Sequence, residues 1–233
     1  MKASPIEPIY GAPLIGCDDR YEDRAAAGRR LASFLGRFRG THAVVLAIPP
    51  GGVAVAGELA RSLRLPVDVI VAREFRVRAY PVIAAGGISE SGGLCLNGAI
   101  LRLPGVTPTV LWEAVRAEQA ILPELIALYR HCRPLPFNIR RPVILVDDGL
   151  SSGLAQLAAI QALRRYHPVA CLLVTPRADE RTLRMTRPWA DDVIVLNLLS
   201  ADGPTNTADG WRLPLSDEDA AILLERYRLH VAP

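Results

Sequence analysis

Lysine is all but missing from this chain: Lys2 is the only one among 27 Lys and Arg side chains. Any cation set beside a phosphate must therefore be an arginine. Charge of one sign is not in excess. The net charge is +3, and no stretch concentrates cationic residues, so a nucleic-acid partner is not expected. Cysteine is sparse and scattered, at Cys17, Cys95, Cys132 and Cys171. Without a C-x-x-C pair, neither a zinc site nor a thioredoxin-like motif is indicated. A reducing, cytoplasmic compartment is the expectation, and Cys171 in its apolar run reads as a small buried hydrophobe. No apolar run approaches the ~20 residues that span a bilayer, and no leader-like apolar core follows Lys2. His42, His131, His167 and His230 show no metal-ligand spacing. Ser151 and Ser152 lack the G-x-S-x-G setting of a hydrolase nucleophile. There is no internal repeat.

What remains is an ordinary globular composition. Half of the 233 residues are hydrophobic and 22% are charged, enough for one large α/β domain or two small ones. Residues 1–19 read as an irregular, Pro- and Gly-rich segment, and 20–233 as the folded domain. Arg20 to Phe38 has helical spacing, with Leu31, Phe34 and Leu35 inward and Arg24, Arg29, Arg30 and Arg37 on a solvated face. Ala43–Ile48 is a continuous apolar strand that ends at Pro49-Pro50-Gly51-Gly52. A helix follows from Val53 to Leu63, then a strand from Val67 to Ala72, which makes a βαβ unit. Such strands are apolar throughout because both faces of a parallel sheet are covered.

Residues from about 74 to 140 break the rhythm as an insertion. Gly86-Gly87 and Gly92-Gly93 bracket a Ser-Glu-Ser turn, which predicts an antiparallel hairpin. Glu90 and Ser91 at its tip read as a polar turn. A helix is expected from Pro108 to Tyr129, with Pro123 predicting a kink or break. Alternation then resumes: strand Val143–Val146, helix Leu154–Tyr166, strand Val169–Val174, short helix Ala178–Met185, strand Val193–Leu198. A last helix starts behind Ser216 as N-cap. Five parallel strands with intervening helices give a doubly wound sheet. Tyr80, Trp112 and Tyr129 read as core or interface packing, with stacking on an acceptor base as the alternative.

Chemistry concentrates at Val146-Asp147-Asp148-Gly149-Leu150-Ser151-Ser152-Gly153-Leu154. An apolar strand ends in two carboxylates, and a loop of small residues then opens a helix. Ligands of open α/β sheets bind beyond the carboxyl ends of the strands. A helix N-terminus offers free N–H groups and a positive dipole end to an anion. Gly149 and Gly153 allow close approach, and the two serines add hydroxyl donors. Carboxylates would repel a lone phosphate but accept hydrogen bonds from a sugar diol. A ribose 5-phosphate satisfies both requirements.

This segment resembles the phosphoribosyl pyrophosphate motif of the type I phosphoribosyltransferases, and more specifically that of the bacterial phosphoribosyltransferase domain proteins, whose pattern runs close to V-I-L-V-D-D-G-x-A-T-G. The similarity extends over about residues 20–230. It includes Tyr21-Glu22-Asp23-Arg24, Ala27-Gly28, Gly51-Gly52-Val53, the Gly86 to Asn97 hairpin and Ser216-Asp217-Glu218-Asp219.

The resemblance implies a type I phosphoribosyltransferase-like, Rossmann-like fold with a small hood insertion, and a homodimer. It implies transfer of a phosphoribosyl group from phosphoribosyl pyrophosphate to a small nitrogenous acceptor, with Mg2+ assisting the departure of pyrophosphate. Asp147 and Asp148 would hold the ribose hydroxyls and, directly or through water, the magnesium. Gly149, Leu150, Ser151, Ser152, Gly153, Leu154 and Ala155 would bind the 5-phosphate. Pro50, Gly51, Gly52 and Arg73 would face the pyrophosphate. Catalytic roles would fall to Asp147, Asp148 and Arg73. The inserted residues would supply the hood, the flexible loop and acceptor specificity.

The chain departs from that pattern in several places. Pro50 stands where the family carries an arginine and also lacks an N–H donor. Glu74 stands where a lysine follows the arginine. Ala155 replaces a threonine. Ser151 replaces the Asp with which purine-salvage members handle the base's proton, which disfavours purine salvage. An ion pair with Glu74 or Asp68 is the competing reading for Arg73. A non-catalytic phosphoribosyl- or nucleotide-binding regulatory protein is the alternative function.

Overall fold

The computed structural model describes residues 21–135, 140–199 and 214–230. The segment expected to be irregular over 1–19, Cys17 included, lies outside them. The first helix, α1 (Arg24–Phe34), starts later than its periodicity suggested, because the Asp23 carboxylate accepts from Ala26 N at 2.6 Å and caps it. A 3-10 turn, Gly36–Phe38, takes the place of its expected last residues. Strand β1 (Val44–Ala47), helix α2 (Gly52–Leu63) and strand β2 (Val67–Val69) complete the βαβ unit.

The strand expected over 67–72 is in fact two strands. Ile70 N still bonds Ala47 O at 2.9 Å. At Val71 the partners change: its N–H donates to the Glu90 carboxylate, and its carbonyl accepts from Glu90 N and Ser89 Oγ. With its backbone satisfied from the hairpin, the chain leaves the main sheet. It continues as β3 (Ala72–Phe75), which pairs antiparallel with β4 (Gly86–Ser89), itself paired with β5 (Gly93–Leu96). The predicted hairpin is thus the outer part of a three-stranded sheet.

Helix α3 (Pro108–Arg130) runs unbroken past Pro123. Both Pro123 and Gln119, whose carbonyl loses its partner there, are exposed, so the missing bond falls on the solvent side of the helix. Then come β6 (Pro142–Val146), α4 (Leu154–Arg164), β7 (Ala170–Asp179), α5 (Glu180–Thr186), β8 (Asp192–Leu199) and α6 (Asp217–His230). β7 outruns its predicted end because β8 stays in register with it as far as Asp179 opposite Leu199. Ser216 Oγ accepts from Asp219 N at 3.0 Å, the expected N-cap of α6.

The five parallel strands lie in the order β2-β1-β6-β7-β8. β1 and β6 are buried along their whole length. Their side chains alternate between two cores, as period 2 requires. Val45, Ala47, Ile144 and Val146 meet α1, α2, α3 and α6 on one face. Val44, Leu46, Val143 and Leu145 meet α4 and α5 on the other, with Cys171 fully buried among them. This is the doubly wound sheet of the sequence reading. The antiparallel sheet seats directly on α4. A Cβ on Gly87 would lie 2.0 Å from Leu154 O, and one on Gly93 1.9 Å from Ala158 O. Among the described residues no helix is long and apolar enough to cross a membrane.

Candidate active site

Beyond the carboxyl ends of β1 and β6 lies a cleft of about 320 Å³. β6 ends at Val146, and the next residue, Asp147, still donates its N–H to Val174 O at 3.2 Å. The main sheet thereby fixes the first carboxylate of the pair. Its Oδ1 accepts from Asp148 N at 2.7 Å, and its Oδ2 accepts from the Gln156 side-chain amide. Burial raises the proton affinity of Asp147 well above the usual carboxylate range, and the neighbouring Asp148 charge raises it further. The backbone N–H and the Gln156 amide offset part of that rise. Asp148 projects further out and receives the Arg24 Nε at 2.9 Å.

The loop then turns into α4. Leu150 is buried and donates its N–H to Arg177 O at 2.9 Å, which ties the loop to β7. Thr182 Oγ1 donates to Ser151 O at 2.9 Å from the other side. Gly153 has φ +75°, a left-handed conformation open to glycine at little cost. Ser152 Oγ accepts from Leu154 N at 3.2 Å and donates to the Glu74 carboxylate. The first-turn N–H groups of α4 have no partner within the helix, and such a turn can receive an anion.

The opposite wall comes from the β1–α2 turn and from β3. Gly51 lies so close to Asp148 that a Cβ there would stand 2.1 Å from its Oδ2. No other residue fits this approach without moving the acid. Arg73 reaches into the cleft, with its Nε donated to Glu118 of α3 at 2.7 Å. Glu74 is ion-paired with Arg76 at 3.2 Å.

The cleft gathers Pro50, Gly51, Arg73, Asp147, Asp148, Gly149, Ser151 and Ala155 of the residues singled out from sequence. It is not lined by Gly52, Leu150, Ser152, Gly153 or Leu154. These build the turns beside it, and the Ser152 hydroxyl meets the lining at Glu74. Neither partner proposed for Arg73 is correct: Asp68 is engaged by Arg228, Glu74 by Arg76, and Arg73 itself by Glu118. Arg24 is not part of a solvated face, because Asp148 draws it inward.

Sequence reasoning missed Gln156, Arg76 and Glu90. Gln156 is buried in an otherwise apolar helical turn, and a lone amide among Leu and Ala side chains was a signal that it had a polar partner. Glu90 is no polar turn residue: it is buried, receives Val71 N at 2.7 Å, and pairs with the buried Arg130. Burial pushes the Glu90 carboxyl up, and Arg130 pulls it back. No local pattern marks that pair, whose members lie 40 residues apart in sequence. Among the described residues no cluster of three or more His, Cys, Asp or Glu side chains could hold a metal.

The sequence profile described as "phosphoribosyl transferase domain" matches residues 19–188. Two strains of Mycobacterium tuberculosis, CDC 1551 and H37Rv, carry proteins named provisionally as phosphoribosyl transferases. Each is 34% identical over 177 residues, which cover 76% of this chain but only 40% of theirs. The chain thus aligns with less than half the length of these relatives. The crystal structure of TT1426 from Thermus thermophilus superposes with a TM-score of 0.72 at 28% identity. That match covers 90% of this chain and 99% of the other.

Proposed function

The chain belongs to the phosphoribosyl transferase domain family, and on that premise we propose that it moves a phosphoribosyl group from phosphoribosyl pyrophosphate to a nitrogenous acceptor. One observation carries the reading. The Asp147-Asp148 pair and Gly149, Ser151 and Ala155 of the segment that opens α4 share a single cleft at the sheet's carboxyl edge. Diol acceptors and an anion seat are thereby adjacent, as a ribose 5-phosphate needs.

In this reading the carboxylates of Asp147 and Asp148 take the ribose hydroxyls, and the start of α4 takes the 5-phosphate. Arg73 lies toward the pyrophosphate. The acceptor nitrogen attacks the anomeric carbon as the bond to the pyrophosphate oxygen breaks, and the acceptor's proton leaves to solvent or to a cleft carboxylate. The protein's part is positioning and charge compensation. A magnesium ion suits this donor set, since such ions take one or two carboxylates and complete their shell with substrate oxygens and water. Asp148, and Asp147 through water, would hold it, and when bound it would offset charge on the departing pyrophosphate. The acceptor would enter from a second cavity, of about 690 Å³. That cavity shares Arg76 with the first and is floored by Val77, Val110 and Ala114.

The test is calorimetric titration with phosphoribosyl pyrophosphate, with and without magnesium, against ribose 5-phosphate and a nucleoside monophosphate. Magnesium-dependent preference for the pyrophosphate donor, lost in Asp147→Asn/Asp148→Asn, is expected. Equal affinity for all three ligands without a magnesium effect would favour the non-catalytic binding protein. No binding at all would remove both readings.

A further inference from the structure

We propose that Glu74 is the site's own competitor for phosphate. Its carboxylate holds the Ser152 hydroxyl at the start of α4, and a ligand phosphate must displace it to bind there. The inference rests on the reading of residues 149–155 as the phosphate seat.

Ser152 carries one hydroxyl proton, and that proton is given to Glu74. The acceptor side of the same oxygen is occupied by Leu154 N at 3.2 Å. The hydroxyl can therefore serve Glu74 or a phosphate, but not both. The backbone of Glu74 is held in place. It stands on β3 opposite Gly87 of β4, and Gly87 is pressed against Leu154 O. The strand that presents the carboxylate and the helix that receives it are thus parts of one contact. A phosphate arriving beside that carboxylate meets like charge at short range.

Arg177 packs against Gly149 of the same loop, and two other nearby cations are engaged by carboxylates. Arg73 is committed to Glu118 at 2.7 Å, and Arg24 to Asp148 at 2.9 Å. Arg76 is different. It already binds the other Glu74 oxygen at 3.2 Å, and its side chain is 46% exposed. It is the place to which a displaced carboxylate can swing. Such a competitor weakens every phosphate ligand by the same factor and so sets a threshold. A free phosphate or a simple phosphomonoester must displace Glu74 with few compensating contacts. A ligand that also engages Asp147, Asp148 and the opposite wall has more binding energy to do so. At a given concentration Glu74 thereby leaves bound only ligands that make those further contacts.

The experiment is calorimetric titration of ribose 5-phosphate and of inorganic phosphate into the full chain. The variants are Glu74→Gln, Glu74→Ala, Ser152→Ala, the Glu74→Gln/Ser152→Ala pair and Asp147→Asn/Asp148→Asn, each checked by thermal melting. Glu74→Gln and Glu74→Ala should tighten both ligands by roughly tenfold, the scale of one charge-assisted bond. In the Ser152→Ala background the gain should shrink to about threefold or less, because the competition runs through that hydroxyl. No gain, or the same gain in both backgrounds, overturns the proposal. Should the aspartate variant lose ribose 5-phosphate while Glu74→Gln changes nothing, the Glu74 inference fails and the phosphoribosyl reading stands. Should Glu74→Gln gain while the aspartate variant binds as before, the reverse holds. No binding by any variant overturns both.

Discussion

The two walls of the cleft are held by different means. The wall carrying Asp147 is an extension of the main sheet. Its strand is buried from Pro142 to Val146, its acid is hydrogen-bonded on both oxygens, and its loop is tied to β7 and α5 by Leu150 and Ser151. The wall carrying Arg73, Glu74 and Arg76 is held by charge. Each of these side chains is at least partly exposed, and each is matched to a counter-ion. Ion pairs of that kind contribute at most about 1 kcal/mol each. The first wall is therefore a product of the fold, and the side chains of the second can rearrange at little cost. A ligand that needs a rigid sugar and phosphate seat beside an adjustable charged wall would find both here.

If this contrast is right, the adjustable wall must still be anchored at its base. Glu90 and Arg130 are the anchor. Arg130 donates to Glu90 and, at 3.1 Å, to Val69 O, while Glu90 takes Val71 N. The pair thus stands where β2 and β3 part. Arg130→Met would leave Glu90 buried and unpaired, a loss of about 3–5 kcal/mol. Urea unfolding measures it, and Glu90→Gln in the same chain should recover much of the loss. A loss under about 1 kcal/mol would mean that the wall is anchored elsewhere, for instance by the Ser89 hydroxyl on Val71 O.

A smaller effect is expected where the two walls meet. Gly87→Ala forces a methyl group against Leu154 O, at 2.0 Å before any relaxation. Overpacking of this kind costs about 1–3 kcal/mol. It should also lower ribose 5-phosphate affinity, because the carbonyl it pushes belongs to the helix turn proposed as the anion seat. Gly98→Ala is the matched control, since nothing lies within 4 Å of the added atom. Equal stability of the two variants would show that the antiparallel sheet floats on α4 and does not brace it.

The difference between the walls also explains what was legible in the sequence. The Asp147 wall was readable because each step is local. An unbroken apolar run, two acids and a loop of Gly and Ser occur within a dozen residues, and backbone geometry does the rest. The other wall depends on partners far apart in the chain. Glu118 for Arg73, Ser152 for Glu74 and Arg130 for Glu90 lie 45, 78 and 40 residues away. For the same reason the run over 67–72 looked like one strand. Its composition is uniform, and only the capture of Val71 by Glu90 divides it. Glu74 was recognisable as an unusual anion, but its contact with Ser152 was not.

The smallest expected effect has the opposite sign and falls on the rigid wall. Ionised Asp147 is the costly form in the folded chain, because burial and Asp148 both hold its proton affinity above the ordinary value of 3.8. Below the unfolded value the group is protonated in both states and does not oppose folding. As pH rises through the raised folded value the folded chain progressively loses stability relative to the unfolded one, and above it the loss is constant. Asp147→Asn removes that titration. The variant should therefore melt higher than the native chain near neutral pH, with the gap closing toward pH 4, as followed by thermal denaturation across that range. It should at the same time lose ribose 5-phosphate. Greater stability joined to lost binding is what a residue retained for its ligand produces. If the variant instead melts lower at neutral pH, the bonds from Gln156 and Asp148 N outweigh burial, and Asp147 belongs to the framework as much as to the site.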